Sequence, residues 1–248
     1  MPGLGVVLLP GVAAVPGTAV VKISGKHVNP QNPVLVAGYV RVLRRLHGEG
    51  YRLVVVVGGG RVARDYIAAA GVVGVNRGLR DALGIEAARL NARLLAYALH
   101  PLAYPEPPRS IWEALEAASS GRIVVAGGFQ PGQSTAGVAA LLAEALEADL
   151  LVLATTVAGV YTADPRRVSR AQLIPRLSYS ELRRVLEQSV EPGHYELLDP
   201  LALSIVERSR IPVRVVDGSD PENVARAVHG EPVGSLVGPA EDQGEAGG

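Results

Sequence analysis

RIVVAGGFQPGQSTAGVAALLAEALEADLLVLA, residues 122–154, reads as a strand, a loop, a helix and a second strand in succession. Residues 122–126 and 149–154 are short apolar runs typical of buried strands. Residues 134–148 carry apolar residues at helical spacing, with Ser134 or Thr135 placed to cap the helix. A strand–helix–strand unit favours a parallel sheet, because parallel strands need a crossover connection.

The same alternation of strands and helices continues on both sides of this segment. We therefore predict an α/β fold: a three-layer, doubly wound, mostly parallel sheet with helices on both faces. One domain is expected over residues 18–237, after an N-terminal extension at 1–17 and before a disordered tail at 238–248. The other predicted strands are 18–24, 51–57 and 213–216, and the other helices are 33–47, 62–70, 81–99, 111–118, 180–187, 200–209 and 221–228.

Composition excludes several functional classes. The 248 residues are 48% hydrophobic and 19% charged, which suits a buried core. The chain has no cysteine, so disulfides and thiolate metal sites are excluded, and its five histidines lack metal-ligand spacing, so no metal site built by the protein is expected. Zero formal net charge without a basic cluster predicts no nucleic-acid partner. No apolar run approaches the roughly 20 residues of a membrane span, and no positive n-region marks a signal, so a cytoplasmic location is expected.

Ligands of parallel sheets bind at the carboxyl ends of the strands, so the loops at those positions are informative. Lys22 interrupts the first strand, and Gly25 and Lys26 follow it. A buried lysine needs an anion or a partner, although it could instead extend to the sheet edge. Gly58–Gly60 precede a helix that carries Arg64, an arrangement that favours anion binding through backbone amides. A tight turn with a surface arginine is the alternative.

Gly58 to Ala63 also fit the dinucleotide fingerprint G-x-G-x-x-A, and Asp81 lies about 20 residues further on. A ribose-binding acid of that motif ends a strand, whereas Asp81 opens a long helical pattern. The dehydrogenase interpretation is therefore weak. No G-K-[ST] triplet of a Walker A motif occurs.

Two later loops and the start of one helix contain the remaining candidates for ligand-binding residues. Residues 127–135 combine glycine and proline with amides and hydroxyls that can pair with a base edge; an ordinary surface loop is the alternative. In residues 155–165, Tyr161 beside Asp164 could hold a planar base, or the segment could be only a turn. Asp199 is predicted to cap the helix at 200–209, which by itself needs no further role.

Taken together, these segments resemble the amino-acid-kinase superfamily and, most closely, its archaeal-type UMP kinases. The resemblance covers nearly the whole chain, from about residue 19 to about residue 237. It implies transfer of the γ-phosphoryl group of ATP to UMP in pyrimidine nucleotide biosynthesis, Mg²⁺ bound with ATP, and a homo-oligomer, commonly a hexamer built as three dimers. The segments are KISGK from Lys22, VVGGG ending at Gly60, DALGIEAARLNA from Asp81, GGFQPGQSTAGVAALLAE from Gly127, GVYTADP from Gly159 and YELLDPLA from Tyr195.

The resemblance also implies roles for individual residues. Lys22 and Asp199 would be catalytic, with Asp199 orienting Lys22. The ATP-binding residues would be Gly25, Lys26, Gly60, Arg64, Thr155, Tyr161 and Asp164. The UMP-binding residues would be Gly58, Gly59, Asp81 at the ribose, and Phe129, Gln130, Pro131, Gly132, Gln133, Ser134 and Thr135 around the uridine.

The chain departs from the family pattern in the loop after the strand at 149–154. Ala158 stands where relatives carry aspartate, and Thr156 replaces an asparagine. Two rival interpretations remain: another small-molecule kinase of the superfamily, and a nucleotide-binding assembly or storage protein without turnover. An acceptor that lacks ribose would not need Asp81, and Ala158 is the only feature that favours the binding protein.

Overall fold

The computed structural model describes residues 16–165, 167–188 and 198–239. The strands of that part are β1 (Thr18–Ile23), β2 (Arg52–Val57), β3 (Val124–Ala126), β4 (Leu150–Thr155), β5 (Arg176–Ser178), β6 (Val213–Asp217) and β7 (Ser235–Gly238). The helices are α1 (Pro33–Gly48), α2 (Gly60–Val72), α3 (Arg77–Ala98), α4 (Ile111–Ser119), α5 (Thr135–Ala145), α6 (Tyr179–Gln188), α7 (Pro200–Arg208) and α8 (Glu222–Val228).

The strands form a single sheet in the order β3-β2-β1-β4-β6-β7-β5. Each neighbouring pair is parallel except β6 and β7, which are antiparallel. The carboxyl ends of β3, β2, β1, β4 and β6 therefore lie along one edge of the sheet. The loops that follow these strands come together there, although they are far apart in the sequence.

Helices cover both faces of the sheet. Val138 of α5 and Ile205 of α7 pack on one face, while Leu43 of α1 and Leu95 of α3 pack on the other. Strands covered on both faces do not need alternating polar residues, which explains the continuous apolar run in β2. This arrangement confirms the predicted α/β fold with a mostly parallel sheet.

Side-chain caps set where three helices begin. Asn76 accepts a hydrogen bond from the Leu79 amide at 3.0 Å, and α3 therefore starts at Arg77 and not at Asp81 as predicted. Ser134, one of the two predicted caps, precedes α5. Asp199 caps α7, as predicted.

The strands β5 and β7 are not predicted from the sequence. They contain 3 and 4 residues and carry no apolar run that would mark them. Strand β7 ends at Gly238, which is the first residue of the predicted tail. Residues 240–248 of that tail, residues 1–15 of the predicted extension, Arg166 and residues 189–197 lie outside the described residues.

Candidate active site

The loops after β1 and β2 interlock through their backbones. A Cβ added to Gly25 would lie 2.2 Å from the Gly58 carbonyl oxygen and 2.3 Å from the Gly60 nitrogen. Gly60 has a φ of +61°, and a Cβ there would lie 2.1 Å from the Gly25 carbonyl oxygen. Only glycine fits at either position. The two loops form one backbone surface at the N-terminus of α2, where anions are favoured.

Three cationic side chains flank this surface. Lys22 is half-buried in β1, in register with Val56 of β2 and Leu153 of β4. Lys26 is exposed in the loop after β1, and Arg64 is exposed near the start of α2. Positive charge beside a backbone anion site suits the phosphates of a nucleotide.

The loop after β1 is fixed by residues that the sequence analysis missed. Buried Asn29 donates a hydrogen bond from its amide to the Gly25 carbonyl at 2.8 Å. Asn32 donates in the same way to the Lys26 carbonyl at 2.7 Å. The only signal in the sequence is the density of asparagine close after the lysine.

His27 joins this loop to the end of β4. Its Nε2 lies 2.7 Å from the Thr155 carbonyl oxygen and must donate, because a carbonyl can only accept. Burial lowers the pKa of His27 below 6.5, and the charges of Lys22 and Lys26 act in the same direction. The bond to Thr155 and the Asp217 carboxylate oppose this shift without cancelling it. The imidazole is therefore neutral at neutral pH.

Helix α3 fixes the loops after β2 and β3. Buried Asn91 donates to the carbonyls of Gly58 at 3.0 Å and Gly59 at 3.2 Å. The loop after β3 lies directly on the helix backbone, since a Cβ on Gly127 would be 2.7 Å from the Arg89 nitrogen. This packing holds both loops at fixed positions relative to α3.

Arg89 fastens the loop after β3 further. Its guanidinium donates to the Gly128 carbonyl at 3.1 Å and to the Phe129 carbonyl at 2.9 Å, and it pairs with Glu86 at 2.5 Å. A cleft of about 440 Å³ opens between α3 and this loop, lined in part by Leu79, Ile85, Phe129 and Pro131. The sequence analysis missed Arg89 and Asn91, although Asn91 is marked as a polar residue on the alanine-rich buried face of α3.

The remaining predicted acceptor residues lie at the same edge. Asp81 is exposed in α3, and Gly132 has a φ of +78°, which favours glycine. A Cβ on Gly58 would lie 3.6 Å from the Thr135 hydroxyl oxygen, so the start of α5 reaches the second loop. The other loop residues are partly or fully open to solvent: Phe129, Gln130, Pro131, Gln133 and Ser134.

The predicted donor residues follow β4. Buried Thr155 accepts a hydrogen bond from the Val157 amide on its hydroxyl at 3.1 Å. Half-buried Tyr161 packs against the core and pairs with Leu173 in an antiparallel bridge. The Asp164 carbonyl accepts from the Arg167 and Val168 amides, at 3.0 and 2.9 Å, so this segment closes as a turn.

Asp199 lies against the acceptor loop. Its Oδ1 accepts from the Ala202 amide at 2.8 Å, and its Oδ2 accepts the hydroxyl proton of Ser134. The Ser134 oxygen also accepts from the Gly137 amide at 2.9 Å. The structure thus brings a predicted catalytic residue into contact with a predicted acceptor-loop residue, a link that the sequence did not predict.

Comparison with known proteins gives the family. Residues 17–217 match the family model described as "Amino acid kinase family". The chain belongs to the amino acid kinase family. Its relatives within this family include the uridylate kinases of Hyperthermus butylicus and Sulfolobus acidocaldarius. The first is 71% identical over 89% of this chain and 98% of the relative, and the second is 48% identical over 88% and 97%.

Solved structures of this fold agree with the match. The chain resembles the crystal structure of uridylate kinase from Archaeoglobus fulgidus, with a TM-score of 0.81 and 37% identity over 88% of this chain and 99% of that one. A UMP kinase structure from Bacillus anthracis shares the fold, with a TM-score of 0.75 at 22% identity over 90% and 97%.

Three further observations describe this amino acid kinase. Ala158 is exposed in the loop after β4, so the position where the resemblance expects aspartate carries no charge. Within the described ranges, no group of three or more histidine, aspartate or glutamate residues could hold a metal ion. None of the helices described is both long enough and apolar enough to cross a membrane.

Proposed function

We propose that this chain is a cytoplasmic uridylate kinase, which transfers the γ-phosphoryl group of ATP to UMP and yields ADP and UDP for pyrimidine nucleotide biosynthesis. The observation that carries the proposal is the packing of two loops on α3. These are the backbone anion surface at Gly58–Gly60 and the amide-rich loop at residues 127–135, and the same helix carries Asp81. The names of the relatives support the same reaction.

On the donor side, Gly25, Lys26 and Lys22 would bind the phosphates of ATP. Thr155, Tyr161 and Asp164 would hold the adenosine end, because they follow the neighbouring strand β4. Gly60 and Arg64 would lie between the donor and acceptor phosphates and reduce their repulsion.

On the acceptor side, Gly58 and Gly59 would contact the UMP phosphate, and Asp81 would accept hydrogen bonds from the ribose hydroxyls. Residues 129–135 would surround the uracil, largely through backbone groups. Residues 129–135 are partly or fully exposed, so a ligand can reach this loop, whereas the side chains of Arg89 and Asn91 bond to the loops from α3.

In the transfer, an oxygen of the UMP phosphate forms a bond to the γ-phosphorus as the bond to the β–γ bridging oxygen breaks. ADP leaves with that oxygen. The attacking phosphate is already ionised near neutral pH, so no general base is needed. The rate then depends on in-line positioning and on positive charge, supplied by Lys22, which Asp199 would orient, and by Lys26 and Arg64.

Mg²⁺ is expected with ATP, but the described residues offer no carboxylate cluster to hold it, and exposed Ala158 removes a candidate ligand. We infer that the ion is held chiefly by the triphosphate and water, as is usual for Mg²⁺ at nucleotide sites. No step of the transfer is assigned to a metal ligand of this chain.

We also infer that the chain forms a homo-oligomer, with the outer face of α3 as the contact. Five exposed apolar side chains fall within about 60° of one another on this 22-residue helix, which is about 33 Å long. Four of them lie nearly symmetrically about residue 88, so a second copy crossing antiparallel would pair Leu79 with Tyr97 and Leu83 with Leu94. The five are Leu79, Leu83, Leu90, Leu94 and Tyr97.

Light scattering during gel filtration tests this contact. We expect the wild-type chain to form a dimer or a multiple of dimers, and the Leu83→Glu/Leu94→Glu variant to form a monomer. Val34→Glu is the control, since Val34 is 84% exposed but lies on α1. A monomeric wild type, or an unchanged mass in the double variant, contradicts the contact.

Release of ADP from ATP and Mg²⁺ tests the reaction, with UMP, CMP, AMP or no acceptor. We expect release that requires UMP, a loss of turnover of at least 100-fold in Lys22→Ala, and a higher KM for UMP in Asp81→Asn. ATP binding without UMP-dependent release would instead support a nucleotide-binding protein that lacks turnover.

A further inference from the structure

The N-termini of α5 and α7 are joined by two capping side chains. Ser134 caps α5 by accepting from the Gly137 amide at 2.9 Å, and Asp199 caps α7 by accepting from the Ala202 amide at 2.8 Å. The Ser134 hydroxyl then donates its proton to the second carboxylate oxygen of Asp199. A continuous path of hydrogen bonds thus runs from one helix end to the other.

This link fixes the direction of the bonds that the two groups make with each other and with the helix ends, and it leaves acceptor capacity on the carboxylate. A serine hydroxyl has one proton, and a carboxylate can only accept, so the direction of each bond is fixed. Each oxygen of Asp199 is held by a different helix, which determines the rotation of the carboxylate about its side-chain bonds. The only proton of the Ser134 hydroxyl is likewise committed, so this hydroxyl cannot donate to a ligand while it is bonded to Asp199.

Helix capping alone does not require such a link. Asn76 caps α3 through one bond from the Leu79 amide, and Ser110 caps α4 through one bond from the Glu113 amide. Within the described part of the chain, neither of these caps bonds to the cap of another helix. The additional bond therefore distinguishes Ser134 and Asp199 from the caps of α3 and α4.

We propose that Ser134 is a positioning residue that transmits the placement of the acceptor loop to the Asp199 carboxylate. The proposal rests on the proposed function, in which residues 129–135 surround the uridine and Asp199 orients Lys22. Because the loop is held in place on α3, Ser134 is fixed, and Asp199 is thereby held in the orientation that the transfer needs. Without the hydroxyl, Asp199 keeps only its bond to Ala202 and can rotate.

The first test compares Ser134→Ala and Ser134→Thr with Ser110→Ala, which removes a serine cap that makes no bond to the cap of another helix within the described residues. Ser134→Ala and Ser110→Ala should both lower the melting temperature, because each removes one cap, and Ser134→Ala should lower it somewhat more because the bond to Asp199 is also lost. Only Ser134→Ala should lower kcat, by about 10- to 100-fold, with KM for ATP changed less than about threefold. Ser134→Thr keeps a hydroxyl and should recover most of the kcat.

A double-mutant cycle on kcat then separates positioning from a direct contact with the substrate. If Ser134 acts through Asp199, Ser134→Ala should have little further effect in an Asp199→Asn background. Losses that multiply, or a higher KM for UMP at unchanged kcat, would overturn the proposal while leaving the kinase assignment intact. A wild-type chain without UMP-dependent turnover would contradict the proposed function itself, and the proposal with it.

Discussion

The proposed acceptor side of the site is held by α3, whose contacts are distant in the sequence, whereas the proposed donor side is held mainly by bonds within its own loops. Asn91 and Arg89 of α3 bond to carbonyls more than 30 residues away in the sequence, at 2.9 to 3.2 Å. On the donor side, Asn29 bonds to Gly25 four residues away, and Thr155 bonds to Val157 two residues away. The exceptions on this side are the bond from His27 to Thr155 and the backbone bonds of Ser24 to Ala154 and of Gly218 to Thr155.

This difference means that the proposed ATP and UMP sites, although both lie at the carboxyl ends of the same parallel strands, are supported by different contacts. The acceptor loops keep their shape as long as α3 stays packed, so we expect the UMP site to be formed before any ligand binds. The donor loops depend on local bonds that break and form independently of α3. Substitutions can therefore affect one side without the other, except where the two sides touch at Gly25 and Gly60.

The largest effect is expected at that point of contact. Gly60→Ala adds a Cβ 2.1 Å from the Gly25 carbonyl oxygen at a φ of +61°, so the two loops must separate. We expect kcat/KM to fall by at least about 100-fold for both nucleotides. Gly74→Ala is the control, because its φ of +81° is similar but no atom lies within 4 Å.

Thermal unfolding and steady-state kinetics measure both variants. Gly74→Ala should lose about 1 kcal/mol of stability through backbone strain and keep its activity. If Gly60→Ala behaves in the same way, the interlocked loops are not essential to the site.

The next largest effect is expected to distinguish the acceptor side from the donor side. Asn91→Ala leaves the Gly58 carbonyl without its side-chain donor and the Gly59 carbonyl with the Ala63 amide alone, which costs about 1–3 kcal/mol and should weaken UMP binding about tenfold. Asn29→Ala removes one bond to Gly25 and should weaken ATP binding instead. The two residues are a matched pair, since their exposures are 2% and 3%.

Dissociation constants of both variants for UMP and for a non-hydrolysable ATP analogue give the comparison. Equal weakening of both ligands in both variants would show that the two sides are not separable.

The smallest effect concerns the long-range bond on the donor side. Because burial lowers the pKa of His27, the folded chain binds its proton more weakly than the unfolded chain. The contribution of neutral His27 to the free energy of unfolding is complete above pH 6.5, the ordinary pKa of histidine, and is lost as the pH falls below it. We expect the wild type to lose more stability than His27→Gln between about pH 7.5 and 5. Urea unfolding at several pH values measures this, and identical pH profiles would exclude His27 as the source.

The sequence was sufficient for the elements whose apolar runs are long. The unbroken apolar run of β2 predicts a strand, because both faces of that strand are buried. The periodic pattern of α5 predicts a helix, because one face of that helix is buried. The turn at residues 58–60, between β2 and α2, was also predicted, since three consecutive glycines favour a sharp turn into a helix. In contrast, β5 and β7 are too short to show a pattern.

The support of the site could not be predicted in the same way. An asparagine or arginine on a helix can bond to many partners, and only the packing of α3 selects Gly58 and Phe129 for Asn91 and Arg89. The Ser134–Asp199 bond has the same origin, because it depends on two helix ends that meet only in the folded chain.

Titration calorimetry of UMP in the absence of ATP tests the central claim most directly. If the acceptor site is formed by packing on α3, UMP should bind the wild-type chain saturably without ATP. Asp81→Asn should weaken that binding at least about tenfold, as expected for the loss of charged hydrogen bonds to ribose, while Asp65→Asn on α2 should not. No binding of UMP to the wild type without ATP, or equal binding by Asp81→Asn, would contradict the account.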